Sequence, residues 1–219
     1  MTLTHARTHA WRIDEREYAR HEQRRGRRHA FESLDPSRTA LVVVDLVEFF
    51  VRENPYAAGT VPVVNRLAPA VRSAGGTVAW VTPADVDPTP TRIEFFGPKI
   101  AALYGRAGDD PWRDLDVEPG DPVVEKASWS AFFPGTCPLH DLLTERGIDT
   151  LVVTGTVTNI CVESTVRDAS VLGYRVVLVA DGCAAISDDV HNASLTTIYR
   201  TFGDVRSSDE VLDLLAAAG

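Results

Sequence analysis

The chain has 219 residues, of which 44% are hydrophobic and 24% charged. These values are ordinary for a soluble globular protein and allow one domain with a sizeable core. Its formal net charge of −9 disfavours nucleic acid as the main partner, since phosphate backbones are bound through excess positive charge. No apolar run is long enough to span a membrane, and none near the N-terminus resembles a signal peptide. We therefore expect neither a membrane protein nor a secreted one.

The cysteines also indicate where the protein is located in the cell. Cys137, Cys161 and Cys183 are odd in number and show no C-x-x-C spacing. A disulfide framework or a structural zinc site is therefore not expected, and a reducing cytoplasm is the simplest location. No cofactor-binding pattern stands out, so we expect none.

Residues 1–38 read as a polar, partly helical arm that precedes a single domain at 39–219. The arm is rich in arginine, above all at 24–28, which could indicate a patch for nucleic acid or membranes. A solvated arm that packs on the body or on a partner subunit is the favoured interpretation, because acidic residues interleave with the basic ones. These are Asp14, Glu15, Glu17 and Glu22.

The rest of the chain alternates between strand and helix patterns. Strands are predicted over 39–44, 77–81, 122–125, 151–153, 175–180 and 203–206. Helices are predicted over 61–73, 95–104, 137–146, 160–172, 189–201 and 209–217. Strands that alternate with helices at these lengths predict a parallel sheet covered on both faces. The fold class is therefore α/β, a three-layer α/β/α sandwich with about six mostly parallel strands.

The most informative stretch is 151–166, LVVTGTVTNICVESTV. An apolar, β-branched run ends at Gly155, and a helical pattern begins near Cys161. This places the Cys161 sulfur at the carboxyl end of a strand and on the first turn of a helix, where the helix dipole is expected to lower the thiol pKa. The alternative is that Cys161 is a small buried hydrophobic residue, which is the commoner role of a cytosolic cysteine.

Two further polar residues stand where apolar strands end. Asp45 follows LVVV, and Lys126, one of only two lysines, follows VVE. Alone, Asp45 would be an ordinary strand-end carboxylate and Lys126 a solvated cation. Because right-handed connections bring these strand ends to one edge of the sheet, both can meet Cys161. A nucleophile, a base and a cation together are what covalent catalysis by a thiol requires.

These residues lie in segments that resemble the isochorismatase-like cysteine hydrolases, the group that includes nicotinamidases, N-carbamoylsarcosine amidase and ureide or biuret amidohydrolases. The matching segments are ALVVVDLVEFF, VVEKASWSAFF and GTVTNICVESTVRDASVLGYRVVLVADGCAA. The resemblance covers about 39–211 and leaves the arm out. It implies a catalytic triad of Asp45, Lys126 and Cys161, and commonly a homo-oligomer, a dimer or tetramer.

The resemblance also implies how a substrate oxyanion is bound. A cis peptide bond before Val157 would turn the N–H groups of Val157 and Cys161 toward the substrate. The sequence alone does not reveal such a bond.

Departures from the family pattern narrow the chemistry. Nicotinamidases hold a metal through an Asp-x-His pair and a further histidine after the second strand, whereas no histidine stands between His29 and His140 here. Asp85 and Asp87 remain in that region, but two loop carboxylates are more often solvated than ligating. No metal site of that type is expected.

Two other positions bear on the reaction. Isochorismatases proper cleave a vinyl ether and lack the nucleophilic cysteine, so Cys161 favours cleavage of a C–N bond. Many relatives carry arginine two residues after the lysine, where this chain has Ser128. A clamp for a substrate carboxylate is therefore in doubt at that point.

The sequence thus predicts a metal-independent hydrolase that opens an amide, ureide or lactam of a small molecule through a Cys161 thioester. Phe50, Phe132 and Thr158 are the candidate substrate contacts, although packing or bracing of the turn is an equally good role for each. Other aromatic candidates are Trp80, Trp129 and Phe133. Two alternatives stay open, namely isochorismate-type ether cleavage and a non-catalytic interaction protein that binds through the arm.

Overall fold

The computed structural model describes residues 6–105 and 110–218. Its strands are β1 (Thr39–Val44), β2 (Thr77–Pro83), β3 (Val123–Lys126), β4 (Thr150–Thr156), β5 (Arg175–Ala184) and β6 (Asp204–Arg206). Its helices are α1 (Glu15–Arg25), α2 (Glu48–Glu53), α3 (Pro55–Ser73), α4 (Pro90–Phe96), α5 (Pro98–Gly105), α6 (Leu139–Glu145), α7 (Glu163–Val171), α8 (Asp188–Thr201) and α9 (Ser208–Ala216). The strands form a six-stranded sheet in the order β3-β2-β1-β4-β5-β6, and all its pairings are parallel.

Side chains of β1 alternate between two apolar cores, one on each face of the sheet. Leu41 and Val43 pack with residues of α3 and α9, and Val42 and Val44 pack with residues of α6, α7 and α8. Every residue of β1 is buried, which explains why a central parallel strand reads as an uninterrupted apolar run. The predicted three-layer α/β/α fold is confirmed.

The strand order reverses between β1 and β4. Helix α3, which follows β1, covers one face of the sheet, whereas α7, which follows β4, covers the other. The two connections leave in opposite directions, and a crevice forms outside the carboxyl ends of the two strands. The residues that end β1 and β4 therefore lie at the position where open α/β sheets bind their ligands.

Several boundaries differ from the predicted ones. Helix α3 begins at Pro55 rather than near 61, because the Asn54 side chain caps it by accepting the Tyr56 N–H, with Pro55 in the first turn. Strand β5 continues to Ala184 rather than ending at 180, because its pairing with β4 resumes after an irregularity near Gly155. Two short helices, α4 and α5, replace the single helical piece expected near 95–104.

The arm packs on the body. Its helix α1 is capped by Asp14 and ends at Gly26 in a left-handed conformation. Past the helix, the carboxylate of Asp204 in β6 accepts the N–H groups of Ala30 and Phe31, each at 2.8 Å. None of the helices within the described ranges is long and apolar enough to cross a membrane.

Candidate active site

Asp45 is placed by an unusual backbone conformation directly after β1. Its φ of 54° lies in the left-handed region, which aspartate tolerates better than most residues. Its N–H still donates to Val81 O of β2 at 2.9 Å. The chain therefore turns sharply where the strand ends, and the carboxylate stays buried at the sheet edge.

Lys126, at the end of β3, lies beside this carboxylate. Its Nζ is 2.9 Å from Asp45 Oδ2 and donates to the main-chain oxygen of Ser128 at 3.0 Å. The two side chains are only 3% and 1% exposed. Burial raises the pKa of Asp45 against the opposing charge of Lys126. Burial lowers the pKa of Lys126, but Asp45 and Cys161 together raise it by more, so the ammonium stays protonated.

Cys161 completes the group, because its side chain lies close enough to Asp45 and Lys126 for both to shift the pKa of the thiol. It lies in a wide π-helical turn at Thr158–Val162 that precedes α7. The main-chain oxygen of Val157 closes this turn by accepting the N–H groups of Ile160 at 2.9 Å and Val162 at 3.3 Å. The helix expected from 160 is thus regular only from Glu163, because the turn has i→i+3 and i→i+5 bonds.

The expected low pKa of the Cys161 thiol is wrong. Burial raises this pKa, and the neighbouring Asp45 carboxylate raises it further, whereas Lys126 lowers it by less. With the thiol 3% exposed, the effect of its removal from water on the pKa outweighs that of the Lys126 cation. The resting site therefore holds a neutral thiol beside a buried carboxylate.

The turn that carries Cys161 follows a close approach between β4 and β1. A Cβ on Gly155, whose φ is 122°, would lie 2.0 Å from Val44 O, so glycine alone fits there. The peptide bond between Thr156 and Val157 is cis, as the family resemblance implies. Strand β1 therefore fixes the point at which the turn begins. The same strand residue, Val44, directly precedes Asp45 and so fixes the position of that residue too.

Thr158 lies within the turn but is fully buried and faces α8. Its Oγ1 is 2.9 Å from His191 Nδ1, and its main-chain oxygen accepts the Ser194 hydroxyl at 3.3 Å. This placement favours bracing of the turn, the alternative role considered for Thr158. The sequence analysis missed His191, although its spacing with Leu195 and Ile198 puts it on the apolar face of a helix.

Comparisons with known proteins show the family to which the chain belongs. The family model for the isochorismatase domain matches residues 39–210. The chain belongs to the isochorismatase family. A relative within it, the uncharacterized isochorismatase family protein YwoC of Bacillus subtilis (strain 168), is 33% identical over 188 residues, covering 83% of this chain and 96% of YwoC.

Three further matches carry the names of hydrolases, and two of them are amidohydrolases. The ureidoacrylate amidohydrolase RutB of Methylobacterium radiotolerans is 32% identical over 221 residues, covering 85% of this chain and 84% of RutB. The crystal structure of N-carbamoylsarcosine amidase from Thermoplasma acidophilum has a TM-score of 0.67 and 30% identity, covering 78% of this chain and 97% of that one. A cysteine hydrolase from Pseudomonas syringae pv. phaseolicola reaches a TM-score of 0.78 at 29% identity, over 87% of this chain and 98% of the other.

The aromatic residues predicted to line a pocket do not all reach one. Phe132 is buried in the core, with its ring centroid 5.3 Å from that of Tyr174. Phe50 is half-buried on α2, with its ring centroid 5.0 Å from that of Phe49. Trp80 is a core residue whose indole N–H donates to Asp121 at 2.9 Å. The substrate contacts proposed for Phe50 and Phe132 stay predictions.

A cavity of about 320 Å³ lies between the loop after β3, helix α4 and the first two turns of α7. It is lined by Arg92, Ser128, Trp129, Ser130, Phe133, Ser164, Arg167 and Asp168. Along the chain, Ser128 is two residues past Lys126 and Ser164 is one helical turn past Cys161. The triad side chains do not line this cavity, but Lys126 donates to the main-chain oxygen of Ser128, which does. This contact makes the cavity the candidate substrate pocket.

The Arg92 guanidinium lies 4.9 Å over the Trp129 ring in this cavity. Arg167 is paired with Glu163 at 2.6 Å, but no carboxylate in the described parts of the chain lies within ion-pair distance of Arg92. Within those same parts, no group of three or more His, Cys, Asp and Glu side chains is arranged to hold a metal ion. Arg92 was not anticipated, because a lone arginine in a loop-rich stretch carries no pattern.

Proposed function

We propose that the protein is a thiol-dependent hydrolase of C–N bonds in small amides or ureides. The observation that carries this proposal is that Asp45, Lys126 and Cys161 lie together at the carboxyl ends of the strands, where the strand order reverses between β1 and β4. The named amidohydrolases among its relatives lend support to C–N chemistry.

The raised pKa of Cys161 determines how its nucleophile forms. A neutral thiol attacks poorly, so its proton must leave as the sulfur bonds to the carbonyl carbon. Asp45 is the acceptor in contact with that thiol, and its raised pKa makes it a stronger base than an ordinary aspartate. Lys126 stabilises the negative charge of this pair throughout.

The remaining steps follow from the same groups. Negative charge develops on the carbonyl oxygen, where the N–H groups of Val157 and Cys161 would receive it. Asp45 returns its proton to the leaving nitrogen as the C–N bond breaks, which leaves a thioester on Cys161. A water molecule, deprotonated by Asp45, then attacks the thioester, and the sulfur regains a proton as the acid departs.

The substrate proposed for the cavity carries a carboxylate, as ureido acids do. Arg92 supplies a cation there without an ion-pair partner among the described residues, and its stacking on Trp129 fixes one face of the guanidinium. It lines the same cavity as Ser128, the position at which the family resemblance leads one to expect an arginine. A ureide with a carboxylate therefore fits better than a neutral lactam.

The test is the release of ammonia or of a new amino group from a panel of amides, lactams and ureides, assayed with chelator present throughout. We expect turnover in the wild type, a loss of at least about a thousandfold in Cys161→Ala, and no loss in the matched control Cys137→Ala. Equal turnover by wild type and Cys161→Ala would overturn the proposal, because the C–N bond would then break without the thiol. An inactive wild type would overturn it as well and favour ether cleavage or the non-catalytic alternative.

The same panel tests the role of Arg92. Arg92→Ala should raise KM for carboxylated members by roughly ten- to a hundredfold, since a charge-assisted bond is worth about 1.5–3 kcal/mol, and should leave neutral members unchanged. Arg113→Ala is the matched control, because Arg113 stacks on Trp112 at 4.7 Å and lies outside the cavity lining. Equal changes for both substrate classes would contradict the carboxylate contact.

A further inference from the structure

The segment of the arm before and within α1 runs along α8. The Asn192 side chain makes two hydrogen bonds to the arm backbone. It accepts the Arg12 N–H at 2.7 Å and donates to Ala10 O at 3.1 Å. Further along, the buried carboxylate of Glu17 pairs with Arg200 through two hydrogen bonds. The arm is therefore fixed from the first turn of α8 to its last.

The arm is also fixed on α3. The Arg7 N–H donates to Pro55 O at 2.9 Å, and the backbone then passes directly over Gly59. A Cβ on Gly59 would lie 1.8 Å from Arg7 O. The close approach requires glycine in the middle of a helix, where alanine would otherwise be preferred.

Between these two anchors, both ring nitrogens of His9 are satisfied by groups around the N-terminus of α8. The Ala185 N–H donates to Nε2 at 3.0 Å, and Nδ1 lies 2.6 Å from Asp188 Oδ1. A neutral imidazole with its proton on Nδ1 satisfies both contacts. The ring is almost fully buried, so its orientation is determined by hydrogen bonds at both ends.

The His9 ring is the middle plate of a three-ring stack. Its centroid lies 3.9 Å from that of Tyr56, with an interplanar angle of 8°, and 4.2 Å from that of His191, at 11°. Tyr56 belongs to α3 and His191 to α8. His9 thus fills the space between two helices that lie outside the arm.

The far side of this stack meets the turn that carries Cys161. His191 Nδ1 lies 2.9 Å from Thr158 Oγ1, and one turn later on α8 Ser194 donates to Thr158 O. The same Ser194 hydroxyl lies against the carboxylate of Glu163, the first residue of α7, so its single proton is shared between the Thr158 and Glu163 oxygens. Both ends of the turn are therefore held by the helix on which His9 rests.

We propose that His9 is a positioning residue, which holds the His191 ring against Thr158 and thereby keeps the Val157–Cys161 turn in its catalytic conformation. The residue lies outside the segment that the isochorismatase model matches, so the arm supplies a part of the site that the family core lacks. The catalytic half of this inference rests on the proposed function. The structural half, that the arm orders the turn, stands without it.

Hydrogen–deuterium exchange of the whole chain tests the structural half without a substrate. In His9→Ala, amides of 156–163 should exchange roughly three- to thirtyfold faster, the range typical of coupling through a contact network. The matched control Arg12→Ala removes an exposed side chain of the same segment and should leave these amides unchanged. Faster exchange confined to the arm and α8 would overturn the proposal.

Kinetics test the catalytic half, well below the unfolding temperature of each variant. His9→Ala should lower kcat roughly three- to thirtyfold and leave KM within about twofold, because the arm does not line the substrate cavity. His9→Phe keeps the stacked plate and should restore most of kcat. A lower melting temperature with unchanged kcat would reduce His9 to a stabilising residue and contradict its role in positioning.

A second variant perturbs the arm without touching any ring. Gly59→Ala should displace the arm backbone at Arg7 and reproduce the faster exchange at 156–163, although alanine favours the helix itself. Unchanged exchange there would overturn the link between arm and turn. If the wild type turns over no substrate, the proposed function fails, and the exchange data from both variants still decide whether the arm orders the turn.

Discussion

At the scale of single residues, the site depends on a charge pair that is removed from water. Asp45 and Lys126 are both almost fully buried, and neither charge is stable there without the other, because desolvating a lone ion costs several kcal/mol. The pair therefore couples stability to chemistry. Lys126 opposes the rise in the Asp45 pKa that burial causes, and this cation thereby preserves the ability of the carboxylate to accept the Cys161 proton.

This coupling predicts different effects of single and double replacements. Lys126→Met leaves an unpaired buried carboxylate and should lower the free energy of unfolding by about 3–5 kcal/mol. Adding Asp45→Asn should recover most of that loss, since two neutral side chains need no partner. Urea titration at pH 7 measures stability, and ammonia release should be absent from both variants. A double variant no more stable than the single one would contradict the coupling.

At the scale of elements, the site is built by the approach of β4 to β1. The run that ends at Val44 is recognisable in the sequence, and so are the glycine at 155 and the polar residue at 45. Their contact is not, because Gly155 and Val44 are more than a hundred residues apart and only the sheet register joins them. Gly155 is therefore expected to set the position of Asp45 as well as that of the turn.

Gly155→Ala tests this expectation. Its Cβ would lie 2.0 Å from Val44 O and 2.7 Å from Val44 N, so the strands must separate. This should cost about 1–3 kcal/mol, in addition to the cost of placing alanine at a positive φ. The matched control is Gly173→Ala, which also has a positive φ, +94°, but open space around its Cβ. Both variants should be less stable by thermal unfolding. Only Gly155→Ala should also lose kcat, and an equal kcat in the two would contradict the role of the contact.

Features that leave a local pattern in the sequence could be predicted, whereas features that depend on contacts between distant parts of the chain could not. Apolar runs ending in Asp45 and Lys126 predicted the strands and the sheet edge, because burial on both faces leaves a direct pattern. The π-helical turn and the raised pKa of Cys161 were not predictable, since both arise from tertiary burial. His9 and His191 gave no joint signal either, because their rings meet only after the arm folds back across about 180 residues of chain.

At the scale of the whole molecule, buried histidines link the arm and the body to pH. Burial lowers the pKa of His191 in α8 to about 3, and it lowers the pKa of His21 and His29 in the arm. Each is neutral in the folded chain at a pH where the unfolded chain binds a proton. Acidification below about 6.5 therefore favours unfolding of both parts.

The contribution of His191 can be isolated. The unfolded state binds a proton on His191 below pH 6.5, the ordinary pKa, and the folded state only near pH 3. The free energy of unfolding should therefore decrease by about 1.4 kcal/mol for each unit by which the pH is lowered within that window. His191→Asn keeps an acceptor for the Thr158 hydroxyl but does not titrate. It should be less stable than the wild type at pH 7, because a smaller side chain leaves a cavity. Between pH 7 and pH 5 that gap should narrow by about 2 kcal/mol in urea titrations, and a constant gap would mean that the buried ring takes up its proton without unfolding.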